Sequence, residues 1–277
     1  MPAATRTRVA GALGTEKIAV TNEDGDVESS VRLIRRFVVQ CHPTAQAALL
    51  AGSRARGSSA ASSDYDVVLF FPLLPSGAWR EMILFEGHYI EAFFHDLGTF
   101  AYFCRELDRP SGKPVLPAMV AEGISILSEN SALLEKAREI ANETLRSGPP
   151  VLSAEEIRRR SYAISDLASK LRSDSDRGVF LAVGASLFVE LADFALRAAG
   201  HWSASGKAIP RALAMVRPNL AEQFEIAFCD LFAKGDVAPV QALVDVVLQS
   251  QGGRVREGYR QAAPASWTDT SAGHAEP

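Results

Sequence analysis

Two aspartates at the head of a continuous apolar run restrict this chain more than any other feature. Asp64-Tyr65-Asp66 leads directly into Val67-Val68-Leu69-Phe70-Phe71, and Pro72 closes the run. The β-branched and aromatic residues predict a buried strand over 64–71. Residues two apart on a strand project from one face, so Asp64 and Asp66 point together while Tyr65 points away. Converging carboxylates repel each other unless a divalent cation lies between them, and hard oxygen ligands suit magnesium. Taken alone, the same three residues are equally a polar strand start.

A turn upstream sharpens that reading. The apolar segment 47–51 predicts a second buried strand, and it runs into Gly52-Ser53-Arg54-Ala55-Arg56-Gly57. Gly52 permits close backbone approach, Ser53 offers a hydroxyl and an amide, and a helix starting after the turn aims its positive end at phosphate. Arg54 and Arg56 add charge-assisted contacts to a triphosphate, or else are solvated arginines of an ordinary turn. Gly52, Ser53, Arg54 and Ser63 are therefore the candidate nucleotide-binding residues of this segment. A turn of this kind beside paired carboxylates can hold a nucleoside triphosphate with its divalent metals, which points to nucleotidyl transfer.

A third acid completes the set. His88-Tyr89-Ile90-Glu91-Ala92-Phe93-Phe94 predicts another strand, and Glu91 interrupts its apolar character. Burying that carboxylate without a metal or partner is costly, which favours Glu91 over its competitors Glu86 and Asp96 at the strand ends.

The turn, the spacer, the D-x-D and the later acid resemble the DNA polymerase β nucleotidyltransferase superfamily. Gly-Ser-Arg-Ala-Arg-Gly and Ser-Asp-Tyr-Asp are most similar to the small bacterial aminoglycoside-type nucleotidyltransferases, and the match covers residues 45–95. The resemblance implies that Asp64, Asp66 and Glu91 are catalytic and bind Mg2+ in a two-metal site. It also implies that Glu91 takes the proton of the acceptor hydroxyl, and that ATP or another NTP is the co-substrate. Trp202 followed by Gly206-Lys207 matches a feature of this group in which the lysine crosses the cleft to the triphosphate. Otherwise Lys207 is a surface lysine after a helix-ending glycine. The same stretch is not a P-loop: the spacing from Gly200 is one residue too long, and neither Ser nor Thr follows the lysine.

The expected fold class is α+β, a small mixed-sheet domain over 26–148 followed by an α-helical bundle over 151–251. A flexible leader, 1–25, with a short ordered piece at 17–20, precedes them, and a polar tail, 252–277, partly folds back. An amphipathic helix is predicted over 26–40, a helix over 97–107, a loop over 109–117, a short strand at 125–127 and a helix over 131–146. Ser147-Gly148-Pro149-Pro150 marks the boundary, since glycine and paired prolines cannot continue a helix. Beyond it, helical patterns run over 153–172, 177–199, 206–216, 218–233 and 237–250.

Charge and cysteine usage narrow the partners. A net charge of −4, from 29 basic and 33 acidic residues, weighs against a long nucleic acid, which needs a clustered basic surface. Three scattered cysteines and five histidines show no zinc spacing, and the thiols read as reduced in a cytoplasmic protein. No apolar run reads as long enough to span a membrane. The expected acceptor is a small molecule in the interdomain cleft. Asp166, Glu190 and Asp193 are candidates to bind an amine-bearing one, or else are solvated helix faces. A protein acceptor, as in antitoxin-like nucleotidyltransferases, and a non-catalytic nucleotide-binding role are the alternatives.

Overall fold

In a computed structural model, residues 27–60, 62–127 and 131–263 are described. The expected leader, its ordered piece at 17–20 and the tail beyond 263 lie outside the described residues. The fold is α+β: a mixed five-stranded sheet with flanking helices, then a helical bundle.

The sheet has the order β3-β4-β2-β1-β5, with β1 Ala47–Leu50, β2 Tyr65–Phe70, β3 Trp79–Phe85, β4 His88–His95 and β5 Ile124–Ser125. β4 runs parallel to β2, and the other pairings are antiparallel. Alternation along the strands separates two cores. Leu50, Tyr65, Val67, Leu69, Ile90 and Phe94 face α1, Val27–Cys41, which buries Leu33, Ile34, Phe37 and Val38. Leu49, Val68 and Phe70 face the opposite way, beneath Phe100, Val120 and Leu134.

β3 was not evident in the sequence. It ends in a two-residue turn in which Glu86 has φ 49° and Gly87 φ 81°, as a type I′ hairpin requires. The segment 109–117, expected as loop, holds two helices. After α2, Gly52–Ala55, and α3, Leu97–Tyr102, a π-helical stretch Phe103–Asp108 runs into α4, Arg109–Ser111, and α5, Val115–Glu122, follows. Its prolines are tolerated because Pro114 caps α5 and Pro117 lies in the first turn, where N–H groups lack intrahelical acceptors. α6, Ala132–Ser147, is capped by Ser131 and ends at Gly148.

The bundle comprises α7 Ala154–Lys170, α8 Arg177–Arg197, α9 Ile209–Val216, α10 Pro218–Lys234 and α11 Ala238–Gln249, with a 3-10 turn at Gly206–Ala208. Leu187, Leu191, Phe194, Phe224, Leu231 and Val244 form its core. One expectation needs correction: α8, at 21 residues, is apolar enough and long enough to cross a membrane. Its inner face is bundle core, which accounts for an apolar helix of that length without a bilayer. Residues 252–263 lie against the bundle, with Tyr259 stacked on Tyr162 at 4.0 Å and Arg254 bound to Asp245.

Hydrogen bonds to backbone carbonyls help fasten the bundle to the sheet domain. Trp202 Nε1 donates to the Leu145 carbonyl at 3.0 Å, and the Ser203 amide to the Gly112 carbonyl at 2.8 Å. The buried Arg197 guanidinium donates to the carbonyls of Pro150, at 2.7 Å, and Ser111. A side chain at Gly112, where φ is 73°, would overlap that guanidinium. Arg197→Leu is expected to lower unfolding stability by about 2–3 kcal/mol, since two inward carbonyls lose their donor. A lower urea midpoint at unchanged slope checks this.

Candidate active site

The site forms where β1 ends and β2 and β4 begin. The chain leaves β1 through Gly52 at φ 66°, and a Cβ there would overlap Asp66 Oδ2. Glycine is therefore required twice, for its backbone conformation and to admit the carboxylate. The Ala51 amide donates to the Asp66 carbonyl at 2.8 Å, locking turn to strand. Ser53 sits in α2, which is a single turn, so the anticipated helix contributes little dipole and mainly the amides of its first residues.

Asp66 and Glu91 are direct register partners on the parallel strands β2 and β4, which places both carboxylates on one face at adjacent positions. Asp64 is exposed and precedes β2 by one residue. Tyr65 points to the other core, where it is buried. The Glu91 carboxylate is largely buried, receives no hydrogen bond at Oε1, and has the Arg80 guanidinium of β3 as its ionic partner. Arg80 escaped the sequence reading because β3 did. The signal was the apolar run Met82-Ile83-Leu84-Phe85 directly before Glu86-Gly87.

Burial raises the Asp66 pKa above the ordinary carboxylate value. Lys207 is the largest opposing influence, the Asp64 charge adds to the rise, and Arg56 and Arg80 oppose it. Lys207 thus reaches electrostatically from the 3-10 turn of the helical half to the carboxylates. The docking of Trp202 and Ser203 on the sheet domain holds that turn in place. Glu122 on α5 bridges Arg56 and Arg211, at 3.4 and 3.1 Å, tying the rim of the site across both halves.

Other sequence candidates lie elsewhere. Arg54, 2% exposed, donates through Nε and Nη2 to the Ser63 carbonyl and lies over the Tyr65 ring at 4.0 Å. It braces the loop between turn and strand from the inside instead of facing a phosphate. Ser63 has its hydroxyl bound by the Ala60 amide at 3.0 Å, as part of the same loop. Glu86 pairs with Arg36 in the hairpin turn. Asp96 is buried: burial pushes its pKa up, but hydrogen bonds from Thr99, Leu74 and Gly98 outweigh that and leave it lowered. It is a helix cap, not the solvated acid expected.

The three acids proposed for an amine are already paired. Asp166 binds Lys170 on its own helix at 2.6 Å, and Arg160 binds Asp193 at 2.5 Å and approaches Glu190 at 3.8 Å. Lys113 lies 4.0 Å from Asp193. These neighbours neutralise the face that was expected to attract a cation.

Among the described residues, no group of three or more His, Cys, Asp and Glu converges tightly enough to hold a metal as it stands. Asp66 and Glu91 nevertheless fit a hard cation by their chemistry: both offer oxygen ligands side by side, and the Glu91 carboxylate already draws a positive partner in Arg80.

No protein-family model matches the chain, and no curated protein matches it. Among solved structures, it is similar to a nucleotidyltransferase-like protein from Exiguobacterium sibiricum 255-15, with 11% identity over 80% of this chain and 75% of that one, and a TM-score of 0.38. Similarity at that level leaves function to be argued from the site's own geometry.

The Asp66 shift sets a stability expectation. A carboxyl with a raised folded-state pKa binds its proton more tightly folded than unfolded, so stability falls as pH rises through the folded value. Asp66→Asn is expected to raise Tm at neutral pH, and the gap over the native protein should widen as pH rises above the ordinary aspartate value, about 4. Thermal melts across that range check it.

Proposed function

We propose that this chain is a nucleotidyltransferase of the DNA polymerase β-like type, moving a nucleoside monophosphate, AMP from ATP, to a hydroxyl of a small molecule. The observation that carries the reading is the register pairing of Asp66 with Glu91 beside a glycine turn whose Gly52 both takes a positive φ and leaves room for the Asp66 carboxylate, with the Lys207 charge acting on the same carboxylate.

Asp64, Asp66 and Glu91 would hold magnesium, which when bound polarises the phosphoryl oxygens and neutralises charge on the departing pyrophosphate. The amides at Gly52 and Ser53 bind and orient the phosphate chain, and Lys207 and Arg56 balance its charge. Glu91 accepts the proton of the acceptor hydroxyl as its oxygen attacks the α-phosphorus. The bond from that phosphorus to the bridging oxygen breaks, and pyrophosphate leaves.

Purified protein with magnesium, labelled ATP and a panel of hydroxyl-bearing acceptors should release pyrophosphate in step with labelled product. Asp64→Asn and Asp66→Asn are expected to reduce turnover by at least about a hundredfold. Lys207→Met should raise the KM for ATP by about tenfold, the loss of one charge-assisted phosphate contact. Nucleotide binding without pyrophosphate release from any acceptor would overturn the reading. Independently, magnesium should raise the Tm of the native protein and leave that of Asp66→Asn unchanged.

A further inference from the structure

The face of the sheet that carries the carboxylates is asymmetric. On the β1 side of Asp66 lies the Gly52 turn, which continues into Arg56, and the Lys207 charge also acts on Asp66. On the β4 side, beyond Glu91, the face changes character. Met82 on β3 lies opposite Glu91, and Leu84 lies opposite Tyr89, so Met82, Leu84, Tyr89 and Glu91 share one face. Met82 is 50%, Leu84 64% and Tyr89 58% exposed. Three large apolar side chains in contiguous positions on an edge strand and its neighbour form a patch that ordinary folding leaves covered or breaks with charge.

We propose that Met82, Leu84 and Tyr89 form the acceptor platform of this enzyme, and that the acceptor is a hydroxyl borne on an apolar or aromatic scaffold without net positive charge. The proposal rests on the transferase reading above and names its substrate class. Position argues for it: with the phosphates on the β1 side, a molecule lying on the platform meets Glu91 before it meets Asp66. Charge argues for it as well. Arg80 borders the platform and pairs with Glu91, and the charges of Lys207 and Arg56 act on Asp66. Asp166, Glu190 and Asp193, the acids suited to a polycation, are paired with Lys170 and Arg160. The platform offers an aromatic ring and two aliphatic chains for van der Waals contact and no anion of its own except Glu91.

The test uses the full chain with 13C-methyl-labelled methionine. The chain has four methionines, Met1, Met82, Met119 and Met215, so the Met82 methyl can be assigned with a single Met82→Leu variant. Two probes are titrated, 3-phenylpropan-1-ol and the polycation kanamycin, and pyrophosphate release with magnesium and ATP is measured for each. The expected result is movement of the Met82 resonance alone with the aryl alcohol, together with pyrophosphate release. Leu84→Ser and Tyr89→Ser should each weaken that binding by about tenfold, or 1.4 kcal/mol, while leaving ATP affinity unchanged. Both positions are exposed, so neither variant threatens the core.

Kanamycin-driven release with a stationary Met82 signal would overturn the platform and leave the transferase standing. Met82 movement without release from any alcohol would overturn the transferase and with it the acceptor role, leaving a ligand site. Concentration-dependent broadening of Met82 in the absence of probe, with a dimer in sedimentation, would assign the patch to a second copy and overturn the proposal.

Discussion

The structure depends on one unfavourable arrangement, two carboxylates held side by side and largely out of water. Adjacent strands lie about 4.8 Å apart, and at that distance two unit charges repel by about 3 kcal/mol for an effective dielectric constant near 20. Nothing in the packing of β2 against β4 removes that repulsion, because Asp66 and Glu91 are fixed by register. The fold answers it with cations from separate places: Arg80 from the edge strand, Arg56 from the turn, and Lys207 from the second half of the chain. On the proposed reading, the pair is kept for something more positive still.

The helical half has a definite part in this. Its docking contacts are backbone carbonyls taken up by Arg197, Trp202 and the Ser203 amide, so they hold a fixed distance and orientation instead of a sliding apolar face. Trp202 and Ser203 lie immediately before the turn that carries Lys207. The buried guanidinium of Arg197 has its pKa pulled below the usual value by burial, with the Asp193 charge opposing that fall. Asp193 is thereby explained as part of the seam, and its pairing with Arg160 follows from the same need to balance charge between packed elements.

Much of this was legible in the sequence, and the reasons for the remainder are physical. β2 and β4 were readable because acids stand out in apolar runs, and the boundary at Gly148 because glycine and proline act locally. β3 was not, because its apolar run covers only 82–85 and its turn requires Glu86 to adopt a conformation rare outside glycine. α5 was hidden by prolines that are harmless only in a first turn. Arg54 reads as a phosphate ligand from its neighbours in sequence, yet its partners are Ser63 and Tyr65, brought back by the strand pairing. The acids of α7 and α8 show the same limit: Asp193 is neutralised by Arg160 from another helix, a pairing that helical periodicity along one segment does not reveal.

Strand alternation also explains why the site has two unlike sides. The carboxylate face of β4 continues inward as Phe93 and His95, covered by helices, and outward as Tyr89, covered by nothing among the described residues. Burial takes the His95 pKa down to about 4, so at neutral pH that imidazole is an uncharged part of the wall and no rival to Glu91 for the role of proton acceptor beside a metal. On the proposed reading, a proton leaving an acceptor on this face meets Glu91, paired with Arg80, at the point where the apolar surface ends and the charged surface begins.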